Sequence, residues 1–343
     1  MNNIGKTKIK VVGIGGGGSN TVSRIYKNPV YGISYLTINT DLQDLRNNLT
    51  PTRLLIGNSI SKGRGLGGNI NEAKHCFESD TQLIKKNLSD ADLIFIASGM
   101  GGGTGTVGSV TTAKLAKESG SLVISVVTSP FAFEGKERIT RAKKGLIELE
   151  KFSDILINIP NDIFLSSSNK KDSIENNFKK VDEVIDQSIR SISELITLPG
   201  DINLDFADVK TIISDGGHGK ISSGKGYGKN KAREAIESAL LNPLLDVSIY
   251  GAKKIIFNVV GGEDMTLEEV YYISDSLKSM TDHNSEIIFG TKIDPFMEEE
   301  ISLTFVATGF PKNRMIKKID YQTKHHISPE IHLKSSDEKI SLK

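Results

Sequence analysis

Two glycine-rich stretches carry the densest chemical signal in this sequence. Residues 99–106, GMGGGTGT, follow the apolar run LIFIAS, and residues 13–20, GIGGGGSN, follow KIKVV. Each glycine costs roughly 0.5–1 kcal/mol against alanine in regular structure, so such runs are not placed for stability. They let the backbone approach a ligand closely and offer it bare N–H groups. Helix-capable segments follow both, NTVSRIYKN and VGSVTTAKLAKE, and a helix N-terminus adds its positive dipole end at the same place. Taken alone, the first stretch matches G-x-G-x-x-G, with Asp41 about where a ribose-binding acid would sit; that favours a nicotinamide-dependent oxidoreductase. A dinucleotide needs one such loop at its pyrophosphate. A second loop, with hydroxyl donors at Thr104 and Thr106, points instead to a triphosphate. The GKT at 5–7 is no Walker A motif, because no glycine can stand five positions earlier and it precedes its strand.

Three further groups could complete such a site. Phe178 and Asp182 stand four apart within 172–197 and share a helix face. A ring there can stack on a base, while the carboxylate accepts from N1–H and N2–H of guanine, where adenine presents an acceptor at N1. Spacing alone favours a core phenylalanine beside a solvated acid. In FEGKER (133–138), Arg138 could meet phosphate and Glu134 a ribose hydroxyl or a metal-bound water, or the two could form an ordinary surface ion pair. In NLDFADVK (203–210), Asn203, Asp205 and Asp208 could hold and polarise a water near a terminal phosphate. Acids at a helix start also serve as caps, and nothing local decides between these roles. How this last group reaches the glycine loops, from beyond a long helix, is not explained locally.

The elements that must position these residues alternate. KIKVVGIG (8–15), SYLTIN (34–39), LIFIAS (93–98), LVISVVT (122–128) and ILINIP (155–160) read as strands, most of them separated by helix-capable stretches. That alternation implies an α/β fold with a mostly parallel sheet covered on both faces. Ligands of such sheets bind at the carboxyl ends of the strands, where the glycine stretches fall. From 172 to 197 apolar residues recur at 174, 178, 181, 185, 189, 192 and 196, the spacing of an amphipathic helix. A second unit follows, with strands near 254–260, 286–293 and 302–310 and helices near 229–241 and 266–279. After Phe310 the chain has eight Lys or Arg against four Asp or Glu and no sustained periodicity, so a flexible tail is expected.

Composition narrows the classes. The 343 residues carry 43 basic and 42 acidic side chains, which gives no global pull towards nucleic acid or an anionic membrane. A hydrophobic share of 37% and a charged share of 25% are those of a soluble globular protein. The single cysteine, Cys76, excludes an internal disulfide and a cysteine-based zinc site, and the six histidines are scattered, so no metal ligands are assigned. With no signal peptide and no apolar run near the ~20 residues of a membrane span, a cytoplasmic protein is expected.

Taken together, KVVGIGGGGSN, NTDLQDL, GRGLGGN, GMGGGTGT, PFAFEGKER, IPNDIFL, ELITLPG, NLDFADVKTI, NPLLDVSIYGA and IDPFMEEEISLTFVATGF resemble the FtsZ family. These bacterial and archaeal relatives of tubulin form the cell-division ring, and the resemblance runs in order from about Ile9 to Phe310. It implies a tubulin/FtsZ-like α/β fold: a mostly parallel, Rossmann-like GTP-binding sheet, a long central helix and a smaller α+β C-terminal domain. The corresponding segments are 1–171 for GTP binding, 172–200 for the helix, 201–311 for activation and polymerisation, and 312–343 for the tail.

The resemblance also implies GTP as substrate, with Mg²⁺. Carried over by motif, Gly16, Gly17, Gly18, Ser19 and Asn20 hold phosphates with Gly103, Thr104 and Gly105. Glu134 and Arg138 contact ribose and phosphate, Phe178 and Asp182 the guanine. Asn203, Asp205 and Asp208 act on the water of the next subunit's nucleotide, so that head-to-tail contact completes the active site and builds filaments. The implied partners are further copies of the chain and the membrane-tethering and other division proteins, with no nucleic acid. The implied location is cytoplasmic, at the mid-cell division ring. Three departures stand out: Val107 where the family usually has glycine, GLGGN (65–69) reading two residues shorter than the usual G-L-G-A-G-x-N loop, and a tail without the family's short apolar terminal peptide. Val107 and the shortened loop keep open a filament protein that binds GTP but hydrolyses it poorly.

Overall fold

The computed structural model describes residues 7–163, 174–197, 206–241 and 249–311. The fold begins with β1 (Ile9–Ile14), six residues all buried, the continuous apolar run that a parallel strand covered on both faces requires. There follow α1 (Gly15–Ile25), β2 (Ile33–Asn39), α2 (Leu42–Asn47), β3 (Thr52–Leu55), α3 (Asn58–Ser61), α4 (Ile70–Ser79) and α5 (Thr81–Leu88). Then come β4 (Leu93–Gly99), α6 (Gly103–Glu118), β5 (Leu122–Ser129), α7 (Lys136–Glu150) and β6 (Ile155–Pro160). The long amphipathic stretch forms α8 (Ile174–Thr197), and α9 (Phe206–Ile213) leads into the two-residue β7 (Gly217–His218). The remainder is β8 (Lys220–Tyr227), α10 (Lys231–Leu240), β9 (Lys254–Gly261), α11 (Leu267–Ser279), β10 (Glu286–Ile293) and β11 (Glu300–Thr308).

Among the described residues the strands form two sheets. The larger has the order β3-β2-β1-β4-β5-β6-β7 with every neighbouring pair parallel. The smaller has the order β10-β9-β11-β8; β9 and β10 run parallel, and β11 is antiparallel to both its neighbours. Strand order reverses between β1 and β4, each of which has a neighbour on its far side. The crevice beyond the carboxyl ends of these two strands is where an open α/β sheet takes its ligands.

Side chains of the larger sheet divide by the period of two. From β4, Leu93, Phe95 and Ala97 enter one apolar layer, with Val22 and Ile25 of α1 and Ile185, Ile189 and Ile192 of α8. Ile94 and Ile96 enter the other, with Phe77 of α4, Ile84 of α5 and Ala113 of α6. The first layer continues without a break into Val209, Ile212 and Ile213 of α9 and on to Ile221, Ile256 and Val306 of the smaller sheet. The far face of the smaller sheet has its own core, in which Phe257, Leu303 and Phe305 pack against Ala235, Ile236 and Ile273. Phe77 is fully buried in the layer beneath α6. Phe77→Ala should therefore destabilise the protein by about 3–5 kcal/mol, transfer loss plus cavity, measured by denaturant unfolding.

Candidate functional site

The crevice is built from two turns that meet main chain to main chain. β1 ends at Ile14 and α1 starts at Gly15 with no intervening loop; β4 ends at Gly99 and α6 starts at Gly103. A Cβ at Gly18 would lie 2.1 Å from the Ala97 carbonyl oxygen, and one at Gly105 would lie 2.3 Å from that of Gly99. Both glycines are required by close approach. Neither α1 nor α6 has a side-chain hydrogen bond at its N-cap, Ile14 and Gly102, and neither has an acid in its first turn. By contrast, Asp41 caps α2, Asn69 caps α4 and Thr266 caps α11. Two helix N-termini thus open on the crevice without side-chain caps and without acids of their own in the first turn, a setting that suits a polyanion.

The resulting cleft has a volume of about 330 Å³. Its floor is formed by Gly15, Gly16 and Gly17 from the first turn and by Gly99, Gly102, Gly103, Thr104 and Gly105 from the second. Hydroxyls brace it: Ser98 Oγ donates to the Ile14 carbonyl at 3.1 Å, Thr104 Oγ1 pairs with Thr40 Oγ1 at 2.7 Å, and the Gly101 N–H donates to Thr106 Oγ1 at 2.8 Å. A third glycine turn, residues 63–68, brings Gly67 and Gly68 to the rim. Arg141 of α7 ties this turn to the second, its guanidinium donating to the carbonyls of Gly101 at 3.0 Å and Gly68 at 3.3 Å. On one wall Glu134 accepts from the Phe131 N–H at 2.8 Å and pairs with Arg138 at 3.1 Å. On another wall Asp182 of α8 accepts from Thr21 Oγ1 and pairs with Arg24, both on α1. Cys76 lies on the buried face of α4, and burial, with Glu72 and Asp80 nearby, pushes its thiol up, away from the reactive thiolate.

Comparison with known proteins identifies this architecture. The GTPase domain of the Tubulin/FtsZ family matches residues 8–169, and the C-terminal domain of the FtsZ family matches residues 217–311. The cell division protein FtsZ of Wigglesworthia glossinidia brevipalpis is 42% identical over 302 residues, which is 88% of this chain and 79% of that protein. Its counterpart in Buchnera aphidicola subsp. Acyrthosiphon pisum is 39% identical over 349 aligned residues, 98% of this chain and 90% of that one. The chain belongs to the FtsZ family. Among solved structures, an FtsZ dimer from M. jannaschii superposes with a TM-score of 0.83 at 38% identity, covering 90% of this chain and 89% of that one. CetZ1 from Haloferax volcanii, at 20% identity and a TM-score of 0.78 over 91% of this chain and 97% of its own, shares the fold. An FtsZ-family chain carries a tubulin-like GTPase domain and is a cell-division protein. The oxidoreductase suggested by GIGGGG alone gives way to that match.

The residues singled out in the sequence fall into three groups. Gly16, Gly17, Gly103, Thr104, Gly105, Glu134, Arg138 and Asp182 line the FtsZ cleft. Gly18 and Ser19 lie buried beneath it, where they shape the turn, and Asn20 is exposed and outside its lining. Asp208 is exposed on α9, away from the cleft lining. Asn203, Asp205, the Phe178 side chain and the tail 312–343 lie outside the described residues. Val107 is 9% exposed and packs into the apolar layer with Phe77, leaving the start of α6 at Gly103 undisturbed. The apparent shortening of GLGGN is corrected: counted from Gly63, GRGLGGN supplies the full G-x-G-x-G-x-N spacing, with positive φ at Gly63, Gly65, Gly67 and Gly68.

Several cleft residues were not singled out in the sequence, although Pro130 and Asn161 fall within PFAFEGKER and IPNDIFL. Thr128, Pro130 and Asn161 arrive at the carboxyl ends of β5 and β6, and strand-end position was the clue that could have found them. Thr21, nearly two turns into α1, had no local mark. Because the two turns interlock through Gly18, Gly18→Ala should weaken GTP binding at least tenfold although this residue does not touch the cleft. Equilibrium binding, with circular dichroism to check folding, measures this.

Proposed function

We propose that this chain assembles head to tail into protofilaments when GTP is bound, and that GTP is hydrolysed at the contact between subunits during formation of the division ring. One observation carries this reading. Among the described cleft residues, each carboxylate already has partners of its own: Glu134 with Phe131 and Arg138, Asp182 with Thr21 and Arg24. Outside the cleft, Asp208 projects exposed from the first turn of α9. A cleft equipped to bind a triphosphate but without a free base, in a chain that displays an acid elsewhere, is what a site completed by a neighbour requires. The relatives support the same reading, since one solved FtsZ is described as a dimer.

In this assignment Gly16, Gly17, Gly103, Thr104 and Gly105 hold the phosphates, Glu134 and Arg138 the ribose and phosphates, and Asp182 the guanine. Asn203, Asp205 and Asp208 of one subunit orient and polarise the attacking water at the next. The Mg²⁺ that accompanies GTP fits this donor set. No group of three or more His, Cys, Asp or Glu able to hold a metal occurs among the described residues, and Mg²⁺ commonly binds through substrate phosphates and retained waters. Ser98 and Thr104 line the cleft, and their hydroxyl and main-chain oxygens are what the chain would offer the ion there. When bound, the ion spreads the charge that develops in phosphoryl transfer. The segments 1–171, 172–200 and 201–311 are proposed as nucleotide-binding domain, connecting helix and activation and polymerisation domain, with 312–343 as a tail and with membrane-tethering and other division proteins as partners at the mid-cell ring. No helix among the described residues is long and apolar enough to cross a membrane.

The test is phosphate release from GTP with Mg²⁺ across a range of protein concentrations. The rate per molecule should be negligible when dilute and should rise above a threshold. Asp208→Ala should lower the upper rate by about 10²-fold or more while GTP still binds. A rate per molecule independent of concentration would show a site complete in one chain, and the roles given to Asp205 and Asp208 would be wrong.

A further inference from the structure

We infer that Thr21 and Arg24 are positioning residues for guanine selection, acting together on Asp182; this rests on the reading of Asp182 as the group that meets the base. Thr21 and Arg24 stand three apart on α1 and therefore face the same side of the helix. Thr21 Oγ1 bonds Asp182 Oδ1, and a guanidinium nitrogen of Arg24 pairs with Asp182 Oδ2. Each carboxylate oxygen is thus anchored by a separate group from one rigid helix. An ionised carboxylate offers about four lone-pair sites over its two oxygens. Anchoring one site on each oxygen fixes the plane of the group and leaves one acceptor per oxygen for a ligand. Asp182 lines the cleft, with its side chain 15% exposed. Two parallel acceptors at the spacing of a carboxylate match the adjacent N1–H and N2–H of guanine. A carboxylate free to rotate would satisfy one of them as readily as both.

Thr21 has a second neighbour that makes it more than a prop. Its hydroxyl also lies 3.1 Å from the Gly17 carbonyl, within the first glycine turn. A hydroxyl has a single proton to donate, so Thr21 serves either the turn beneath the phosphates or the carboxylate beside the base. The group that sets the base reader is therefore the group that touches the phosphate floor. Arg24 is 40% exposed and makes the outer contact, Thr21 the inner one.

Guanosine and inosine triphosphates separate this role from simple support, because inosine keeps N1–H and lacks the 2-amino group. The full-length, nucleotide-free chain is titrated with each nucleotide below the concentration of assembly. The native chain should prefer GTP over ITP by about tenfold or more, the value of one hydrogen bond to a charged acceptor. Thr21→Val, which keeps the shape and removes the hydroxyl, should bring the ratio below about threefold, and Thr21→Ser should restore it. Arg24→Gln should lower the ratio severalfold, and an unchanged ratio there removes Arg24 from the proposal. Equal loss of GTP and ITP affinity in Thr21→Val means support of the fold alone and overturns the inference. So does a native ratio in Thr21→Val when Asp182→Ala abolishes the preference, an outcome that leaves Asp182 as the base reader. A native ratio in Asp182→Ala removes the base-reading role itself.

Discussion

Where α1 leaves β1 and α6 leaves β4, two turns touch through their backbones with no side chain between them, and much of the molecule is arranged around that contact. It can form only if β1 and β4 are neighbours, which the reversal of strand order provides. It can form only if the residues at the contact lack a Cβ, which Gly15, against the Gly105 backbone, and Gly18, against Ala97, provide. The cost is local: glycine is about 1 kcal/mol less favourable than alanine in a helix, and α1 opens with four of them. That cost is offset from below. Val22 and Ile25 of the same helix are sunk into the layer that also holds Phe95 and Ile124, so tertiary packing holds a helix that its own first turn would not sustain.

The elements that were legible in the sequence are those whose residues answer to a single demand. The runs ILINIP and EIIFGTKI become strands at the residues read, and the apolar spacing from 174 to 196 becomes one helix, since burial on a regular face leaves a regular pattern. β8 was illegible for a physical reason. Its sequence KISSGKGY reads as a loop because α10 lies directly on its backbone: a Cβ at Gly224 would come within 2.2 Å of the Ala235 carbonyl oxygen, and one at Gly226 within 1.9 Å of that of Lys231. β3 is four residues and β7 two, too short for any alternation to register.

The candidate site was legible in its glycines and less so in its supports. The turns announce themselves because bare backbone is rare inside a core. Arg141, which ties two of those turns together, and Thr21, which meets Asp182, are common residue types at unremarkable positions, and their partners lie far away in the sequence. Gly18 and Ser19 illustrate the opposite limit. A motif marks which residues travel together, but it does not distinguish those that face the ligand from those on which the turn is built.

α8 contains neither glycine nor proline from Ile174 to Thr197, and at a rise of 1.5 Å per residue it spans about 36 Å. Asp182 lies against the cleft in its first half. Farther along, Ile185, Ile189 and Ile192 are embedded with Val209, Ile212 and Ile213 in one apolar layer. Such a rod has no joint in which to absorb a displacement. A shift of the helix at Asp182 therefore has to be taken up by the packed layer that also roots the short helix carrying Asp208.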